Sequence, residues 1–272
     1  MKQKQIKIHK LIFLLIISIT LISSFSCSIQ KKNKADNSIK VELLTDTIQE
    51  PYGYFSELVI TPTNNILLKN IQNLSENKIL NSIDPKERLR KKIELSNLCH
   101  EGSLSFEKYT PEEYKILANK NSILNVEYGY NMFSNPDDYF KYAVFNLENG
   151  ERITYKQMFN NAETILKMYN DKYVSEIQDY LAELNKDDEE ELGEYDRYKS
   201  HLETRTPFQL EDLNNFEIVY DSTKTKVKEL KFHYNGQGGV YRRFFPPGFE
   251  EFSIEELKPH LTEDFKKRIG LE

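Results

Sequence analysis

The stretch Phe140–Phe159 constrains the fold more than any other part of the chain, because it combines a hairpin turn with a helix start. Alternating apolar residues lead up to Asn149-Gly150 and continue after it. Asn-Gly between two such runs is the strongest short-range signal for a β-hairpin. Apolar residues then recur at helical spacing, so we predict two antiparallel strands followed by a long amphipathic helix over about residues 156–184.

The other segments place more strands and helices around this unit. Asp84 before Pro85 is an N-cap followed by proline at the first helical position, Thr110-Pro111 suggests another helix start, and Ser253 with Glu256 forms a capping box for a terminal helix. Alternation predicts strands at residues 41–44, 55–61, 123–130, 216–220 and 230–234. We therefore predict an α+β fold, in which an antiparallel β-sheet packs against a long amphipathic helix and a C-terminal helix.

The N-terminus has the pattern of an export signal. Four lysines precede an uncharged apolar run from Leu11 to Phe25, which is shorter than the roughly 20 residues of a membrane-spanning helix. Ser24-Phe25-Ser26-Cys27 resembles the processing box of bacterial lipoproteins, which predicts lipidation of Cys27. Ordinary secretion, with Cys27 present by chance, is the alternative.

Three segments follow from this interpretation. Residues 1–26 are a lipoprotein signal peptide, residues 27–40 are a polar, flexible tether, and residues 41–272 are a single α+β domain with an N-terminal part at 41–103. The predicted location is the bacterial cell envelope, periplasmic or surface-facing, with membrane attachment through the lipid anchor.

Charge narrows the choice of partners. Without the four signal lysines, 33 basic residues face 43 acidic ones, a net charge of −10. Such a surface argues against nucleic acid as a partner and favours a basic protein. The alternative is that the charge merely keeps the protein in solution.

No catalytic pattern is present. The sequence lacks H-E-x-x-H, C-x-x-C and Gly-x-Ser-x-Gly, and it places Cys99 beside His100, where helical side chains diverge. We therefore predict no enzymatic activity, no metal and no cofactor, and burial of Cys99 in the core. A hydrolase site would require His201 or His233 to converge with carboxylates in a pocket.

Two charged clusters invite a functional interpretation. The basic residues between Lys86 and Lys92 suggest an anion site, and Asp187–Glu191 suggests a calcium loop. The acidic run lacks the alternating ligand order and glycine turn of a calcium loop. We predict that the first cluster is a solvated helix face and that the second is a solvated insertion.

A glycine-rich loop near the C-terminus is the candidate binding site. It follows a strand and precedes an extended segment, whereas a phosphate-binding loop precedes a helix, so we predict a hairpin or bulged loop. Its arginines suit recognition of an anion or of a partner surface. The candidate residues are Asn235, Gly236, Gln237, Gly238, Gly239, Tyr241, Arg242 and Arg243.

The order of these segments resembles the domain of unknown function at the C-terminus of the anti-sigma factor RsiV, which also accompanies some peptidoglycan deacetylases. Its "D-x-x-T-G-x-x-I" turn is similar to Phe145–Ile153, its "F-x-L" and "F-x-I" steps to Phe208–Leu210 and Phe216–Ile218, and its "E-L-x-P-x-L" ending to Glu256–Leu261. The resemblance covers about residues 104–270. It departs at Ser134–Asp138, where many relatives have a Gly-Gly-Ala-His-like loop.

The resemblance implies an extracytoplasmic α+β domain that recognises something at the cell wall, since the anti-sigma relative senses lysozyme by binding it. We therefore expect a non-catalytic envelope lipoprotein that binds or senses lysozyme or peptidoglycan. An immunity or accessory lipoprotein with a dedicated toxin or envelope complex as its partner is the second hypothesis. A hydrolase with an unrecognised site is the third.

Overall fold

The structure of the chain is a computed structural model that describes residues 39–47, 54–75, 77, 84–104, 109, 111–131, 138–184, 188–234 and 248–271. All of these fall in one compact unit, Ser38–Glu272. The predicted signal peptide, Cys27 and nearly all of the predicted tether lie outside the described residues.

Strands and helices alternate in groups along the chain. The strands are β1 Lys40–Thr47, β2 Tyr54–Thr61, β3 Glu112–Lys120, β4 Ile123–Asn131, β5 Asp138–Asn146, β6 Phe216–Tyr220, β7 Val227–His233 and β8 Phe249–Ser253. The helices are α1 Asn65–Gln72, α2 Pro85–His100, α3 Tyr155–Met158, α4 Ala162–Glu183, α5 Glu189–Thr204, α6 Ile254–Leu257 and α7 Glu263–Ile269, with 3₁₀ turns at Leu210–Asn214 and Lys258–His260.

The strands form three antiparallel sheets, with orders β1-β2, β3-β4-β5 and β6-β7-β8. This confirms the predicted α+β class and its antiparallel strands, divided among three sheets. Side chains connect the sheets: Ser56 Oγ on β2 donates to Tyr114 O and accepts from Tyr114 N on β3, at 2.8 and 2.6 Å. On the other side, Asn125 Nδ2 donates to Ile218 O at 3.0 Å and Asn215 Oδ1 accepts from Tyr142 N at 2.7 Å.

The central sheet separates two hydrophobic cores. Leu124 and its cross-strand partner Phe145 face the first core, with the β1-β2 sheet and α1. Ile123 and Val144 face the second core, with α4 and the β6-β7-β8 sheet. Because both faces of β4 are covered, its first four residues, 123–126, are all buried, and the buried amide among them, Asn125, needs the hydrogen bond to Ile218 O.

One predicted helix start is wrong. Thr110-Pro111 does not begin a helix, since residues 112–120 form β3, in which Glu112 and Tyr114 are buried and Glu113 and Lys115 are exposed. This alternation is the strand period, and pairing with β4 decides the conformation over the local proline signal.

The Asn-Gly turn is confirmed, but the second hairpin arm is shorter than predicted. After Gly150 a single bridge, Phe145 to Arg152, replaces a strand. The predicted long helix is divided as well: α3 ends at Met158, Phe159 pairs with Leu261, and Asn161 caps a new helix by accepting from Thr164 N. The bridge between Phe159 and Leu261 thus interrupts the helix that the apolar spacing alone predicts as continuous.

The C-terminal prediction is confirmed in its buried face and corrected in its continuity. Leu257, Leu261, Phe265 and Ile269 are all buried, as their spacing predicts. Ser253 caps α6, but α6 ends after one turn at a 3₁₀ segment, and Thr262 starts α7 by accepting from Phe265 N.

The basic cluster of α2 is only partly a solvated face, so that prediction is wrong for two of its members. Arg88 and Lys92 are buried, with Lys92 fully inaccessible, and Cys99 is buried as predicted. Lys92 Nζ donates to Ser56 O at 2.9 Å and pairs with Glu57 at 3.2 Å and Glu112 at 3.3 Å.

The charges of Glu57, Arg88, Lys92 and Glu112 neutralise one another. Arg88 Nε contacts Glu57 Oε2 at 3.2 Å. The second oxygen of Glu112 accepts from Ser75 Oγ, Asn77 Nδ2 and Tyr128 OH at 2.6–2.7 Å. Two cations and two carboxylates therefore form a neutral network, here named the buried ion network (Glu57, Arg88, Lys92 and Glu112), which ties α2 to β2 and β3.

Gly150 permits the close approach of the Asn-Gly turn to α1. Its φ is +80°, and a Cβ there would lie 2.5 Å from Asn64 Oδ1 and 2.7 Å from Leu67 N. We expect Gly150→Ala to lower the free energy of unfolding by about 1–3 kcal/mol or more, since both strain and displacement of α1 oppose it.

The measurement is urea unfolding, with Gly193→Ala as the matched control. Gly193 lies in α5, where an added Cβ meets nothing within 4 Å, so alanine should raise stability by about 0.5–1 kcal/mol. Equal behaviour of the two variants would show that the turn is not held against α1.

Candidate functional site: the acidic helical hairpin and the cluster beneath it

The candidate binding loop predicted from the sequence, Asn235–Arg243, lies outside the described residues. Its flanks are described: Tyr234 directly follows β7, Gly248 directly precedes β8, and Tyr234 N donates to Gly248 O at 3.0 Å. The surroundings of Tyr234, which include Tyr169 and Tyr173 on α4, are therefore the part of the described structure next to that loop.

The negative charge of the chain concentrates on α4 and α5. Residues 162–204 contain 13 acidic and 5 basic residues, a net charge of −8. Many of these acids are exposed, including Asp179, Glu183, Glu190 and Asp196. The surface formed by α4 and α5, here named the acidic hairpin, therefore carries most of the charge that the composition predicts.

Glu189–Glu191 of the acidic run begin a helix, so the interpretation of these residues as an insertion is wrong, and Asp187 lies outside the described residues. Asp188 caps α5 by accepting from Glu190 N and Glu191 N, and three glutamates occupy the first turn. Carboxylates stabilise a helix N-terminus through the helix dipole, by about 0.3–1 kcal/mol each at an exposed site. The exposed, solvated character predicted for these residues is confirmed for 188–190.

Side-chain hydrogen bonds hold the two helices together. Tyr180 OH donates to Glu194 Oε2 at 2.5 Å, and Tyr173 OH lies 2.8 Å from His201 Nε2. Burial, and then the Arg205 guanidinium, lower the pKa of His201. The imidazole is therefore neutral near pH 7, and its Nε2 can accept a hydrogen bond from the Tyr173 hydroxyl.

An aromatic cluster lies beneath the acidic hairpin. Tyr169 stacks on Phe208 with ring centroids 4.4 Å apart, and Tyr173 meets Tyr234 edge-on at 5.1 Å. The Arg205 guanidinium lies 5.0 Å from the Tyr173 ring centroid, close enough for a cation–π contact. The Arg205 guanidinium is thus part of this aromatic cluster.

Glu250 is the unusual residue of this region. It is fully buried in a position opposite Phe232 on the core face of the β6-β7-β8 sheet, and neither carboxyl oxygen accepts a hydrogen bond. Burial, and then the neighbouring Glu176, raise the pKa of Glu250 to about 8. A protonated Glu250 can donate to Glu176, which a carboxylate cannot.

The two histidines named in the hydrolase hypothesis lie in different surroundings. His233 Nε2 lies 3.2 Å from Glu217 Oε1, and the ring stacks on Tyr142 at 3.5 Å. His201 has Tyr173 and Arg205 as neighbours, as described above. Within the described ranges, no group of three or more His, Cys, Asp or Glu side chains is arranged to hold a metal ion.

The described helices are too short or too polar for a membrane span. This statement concerns the described residues alone, and residues 1–38 are not among them.

No family model matches the chain, and no curated protein is significantly similar to it. The resemblance to the RsiV C-terminal domain therefore stays a prediction.

Proposed function

We propose that this chain is a non-catalytic, lipid-anchored protein of the bacterial cell envelope that binds or senses a cell-wall-related partner, foremost a basic protein such as lysozyme. The observation that carries the proposal is the acidic hairpin, with a net charge of −8 over residues 162–204. Opposite charge steers a basic protein towards such a surface and raises its association rate, and salt weakens the attraction.

The arrangement of the hairpin supports this role. Its acids lie on two helices that are fixed to each other through Tyr180 and His201 and to the core through Tyr173. A charged surface on rigid elements needs little ordering when a partner binds, so less of the interaction energy is lost.

The test is a calorimetric titration of the full chain, in a non-ionic detergent, with a basic lysozyme at low and at physiological salt. We expect one-to-one binding in the micromolar range or tighter that weakens as salt rises. A triple variant, Asp179→Asn, Glu183→Gln and Asp196→Asn, should weaken binding by about tenfold at low salt, because three exposed charges of the acidic hairpin are lost.

A matched control removes the same amount of charge elsewhere. Glu42→Gln, Asp46→Asn and Glu255→Gln alter three exposed acids outside the hairpin, so binding should stay within about twofold. Equal loss in both variants would mean that net charge alone acts. Absence of binding would reject lysozyme and favour a dedicated toxin or envelope complex, to be sought by affinity capture from the native envelope.

A further inference from the structure

An open groove of about 700 Å³ lies between α1 and the segment after the Asn-Gly turn. One wall consists of residues on and just after α1, namely Asn65, Ile66, Lys69, Asn70 and Asn73. The other wall is Glu151 and Arg152, which directly follow the Asn-Gly turn.

The groove carries two cations in an acidic protein. Among the described residues neither Lys69 nor Arg152 forms an ion pair. Arg152 Nη2 donates to Asn214 O at 2.6 Å and to Tyr142 O at 3.3 Å, while its buried Nε has no acceptor. A largely desolvated guanidinium with only carbonyl partners is incompletely compensated, and an anion in the groove would compensate it.

The remaining lining suits a ligand with hydroxyl or amide groups. Asparagine amides both donate and accept hydrogen bonds, as sugar hydroxyls and acetamido groups require. Ile66 is 52% exposed, the largest exposed fraction among the big apolar side chains of the described residues. It offers an apolar contact beside the polar groups, the mixture typical of small-molecule sites.

The walls are fixed relative to each other. Asn70 Nδ2 donates to Gly150 O at 2.9 Å, and Gly150 lies so close to α1 that no Cβ fits between them. Glu151, the one acid of the groove, accepts from Asn149 Nδ2 at 2.8 Å and so has a partner of its own. The groove is therefore preorganised, with a surplus of positive charge.

We propose that this groove binds a carboxylated saccharide. Lys69 and Arg152 recognise the carboxylate, the asparagines of α1 recognise hydroxyl or acetamido groups, and Ile66 contacts the apolar face of the sugar ring. This site is distinct from the acidic hairpin and does not depend on a protein partner for its chemistry.

The experiment is saturation-transfer NMR and titration of the full chain with four small sugars. N-acetylmuramic acid and glucuronic acid carry a carboxylate, while N-acetylglucosamine and glucose are their uncharged counterparts. We expect the acids to bind at least about tenfold more tightly than their counterparts, the effect of one charge-assisted contact. Preference for N-acetylmuramic acid over glucuronic acid would point to cell-wall glycan, and the reverse to a uronic-acid polysaccharide.

Variants assign the effect to the groove. Lys69→Gln should reduce binding of both acids by about tenfold and leave the uncharged sugars unchanged, and Ile66→Ser should weaken all four. Lys199→Gln, at an exposed lysine on α5, is the matched control and should leave binding unaltered. Equal affinity for acetate or inorganic phosphate, or no saturable binding by any acid, would overturn the proposal.

Discussion

Replacing Lys92 with methionine is expected to lower the free energy of unfolding by about 3–5 kcal/mol, the usual cost of removing one partner from a buried ion pair. Methionine preserves the length and helix propensity of lysine. It leaves Glu57 and Glu112 buried, however, with Arg88 as their only remaining cation in the buried ion network. Urea unfolding followed by circular dichroism measures the loss.

Arg90→Met on the same helix is the control. Arg90 pairs with Glu94 at 3.3 Å, but both side chains are more than half exposed, and such pairs contribute about 0–1 kcal/mol. Adding Glu112→Gln to Lys92→Met should recover part of the loss, because it restores electrical neutrality. Similar stabilities for the two single variants would mean that the buried ion network contributes no more than a surface pair.

The second large effect concerns pH. Glu250→Gln is expected to abolish a fall in stability that the natural protein shows between about pH 4.5 and pH 8. The folded protein keeps Glu250 protonated up to a pKa of about 8, whereas the unfolded chain releases this proton near pH 4.3–4.5. Between these values the unfolded state binds fewer protons, so rising pH favours unfolding.

The stabilising contribution of protonated Glu250 is thus complete below about pH 4.5 and is lost as pH rises through the folded pKa. The slope is at most about 1.4 kcal/mol per pH unit for one group. Glu176 and Lys172 on α4 face the carboxyl, so Glu176→Gln should lower the pKa of Glu250 and narrow the pH range of the fall.

Glu251→Gln, one residue further along β8, is the matched control. The Glu251 side chain is partly exposed and lies 2.5 Å from Lys231 Nζ, which lowers its pKa. Its contribution is present above the unfolded pKa and is lost only as pH falls below it. Thermal melts from pH 4 to 9 should therefore show the slope in this variant and a flatter profile in Glu250→Gln, and parallel profiles would reject the assignment to Glu250.

Local signals predicted those elements whose ends are fixed by their own residues. Asp84 caps α2 by accepting from Lys86 N, as Asp-Pro indicates, and Ser253 caps α6. The strands β4 and β6 form where the sequence predicts them, and β7 begins three residues before its predicted start. The α+β class follows from these elements together.

Predictions failed where distant residues decide the outcome. Lys92 lies in a run of charged residues, which predicts exposure to solvent. Its burial is possible because Glu57 and Glu112, on two separate strands, compensate its charge. The burial of Glu250 on β8 was not predicted, although alternation with Phe252 in Phe-Glu-Glu-Phe places this glutamate on the core face. The break before α4 depends on Leu261, about a hundred residues later.

The saccharide groove also had a signal in the sequence. Asn65, Lys69 and Asn73 recur every four residues, which places a polar stripe along α1. Their meeting with Arg152 depends on the turn at Gly150, however, and the sequence does not specify which helix that turn contacts. For the acidic hairpin, the sequence predicted the negative charge but not that α5 forms and pairs with α4.

The pairing of β1 and β2 has a mechanical consequence. Lys40, at the start of β1, lies opposite Thr61, the last residue of β2, from which the chain continues into α1. A pulling force applied through the residues before Lys40 and resisted by the rest of the body would therefore load the ladder at one end. Hydrogen bonds would open in sequence like a zipper instead of shearing together, so this sheet would yield at low force while the central sheet stayed intact.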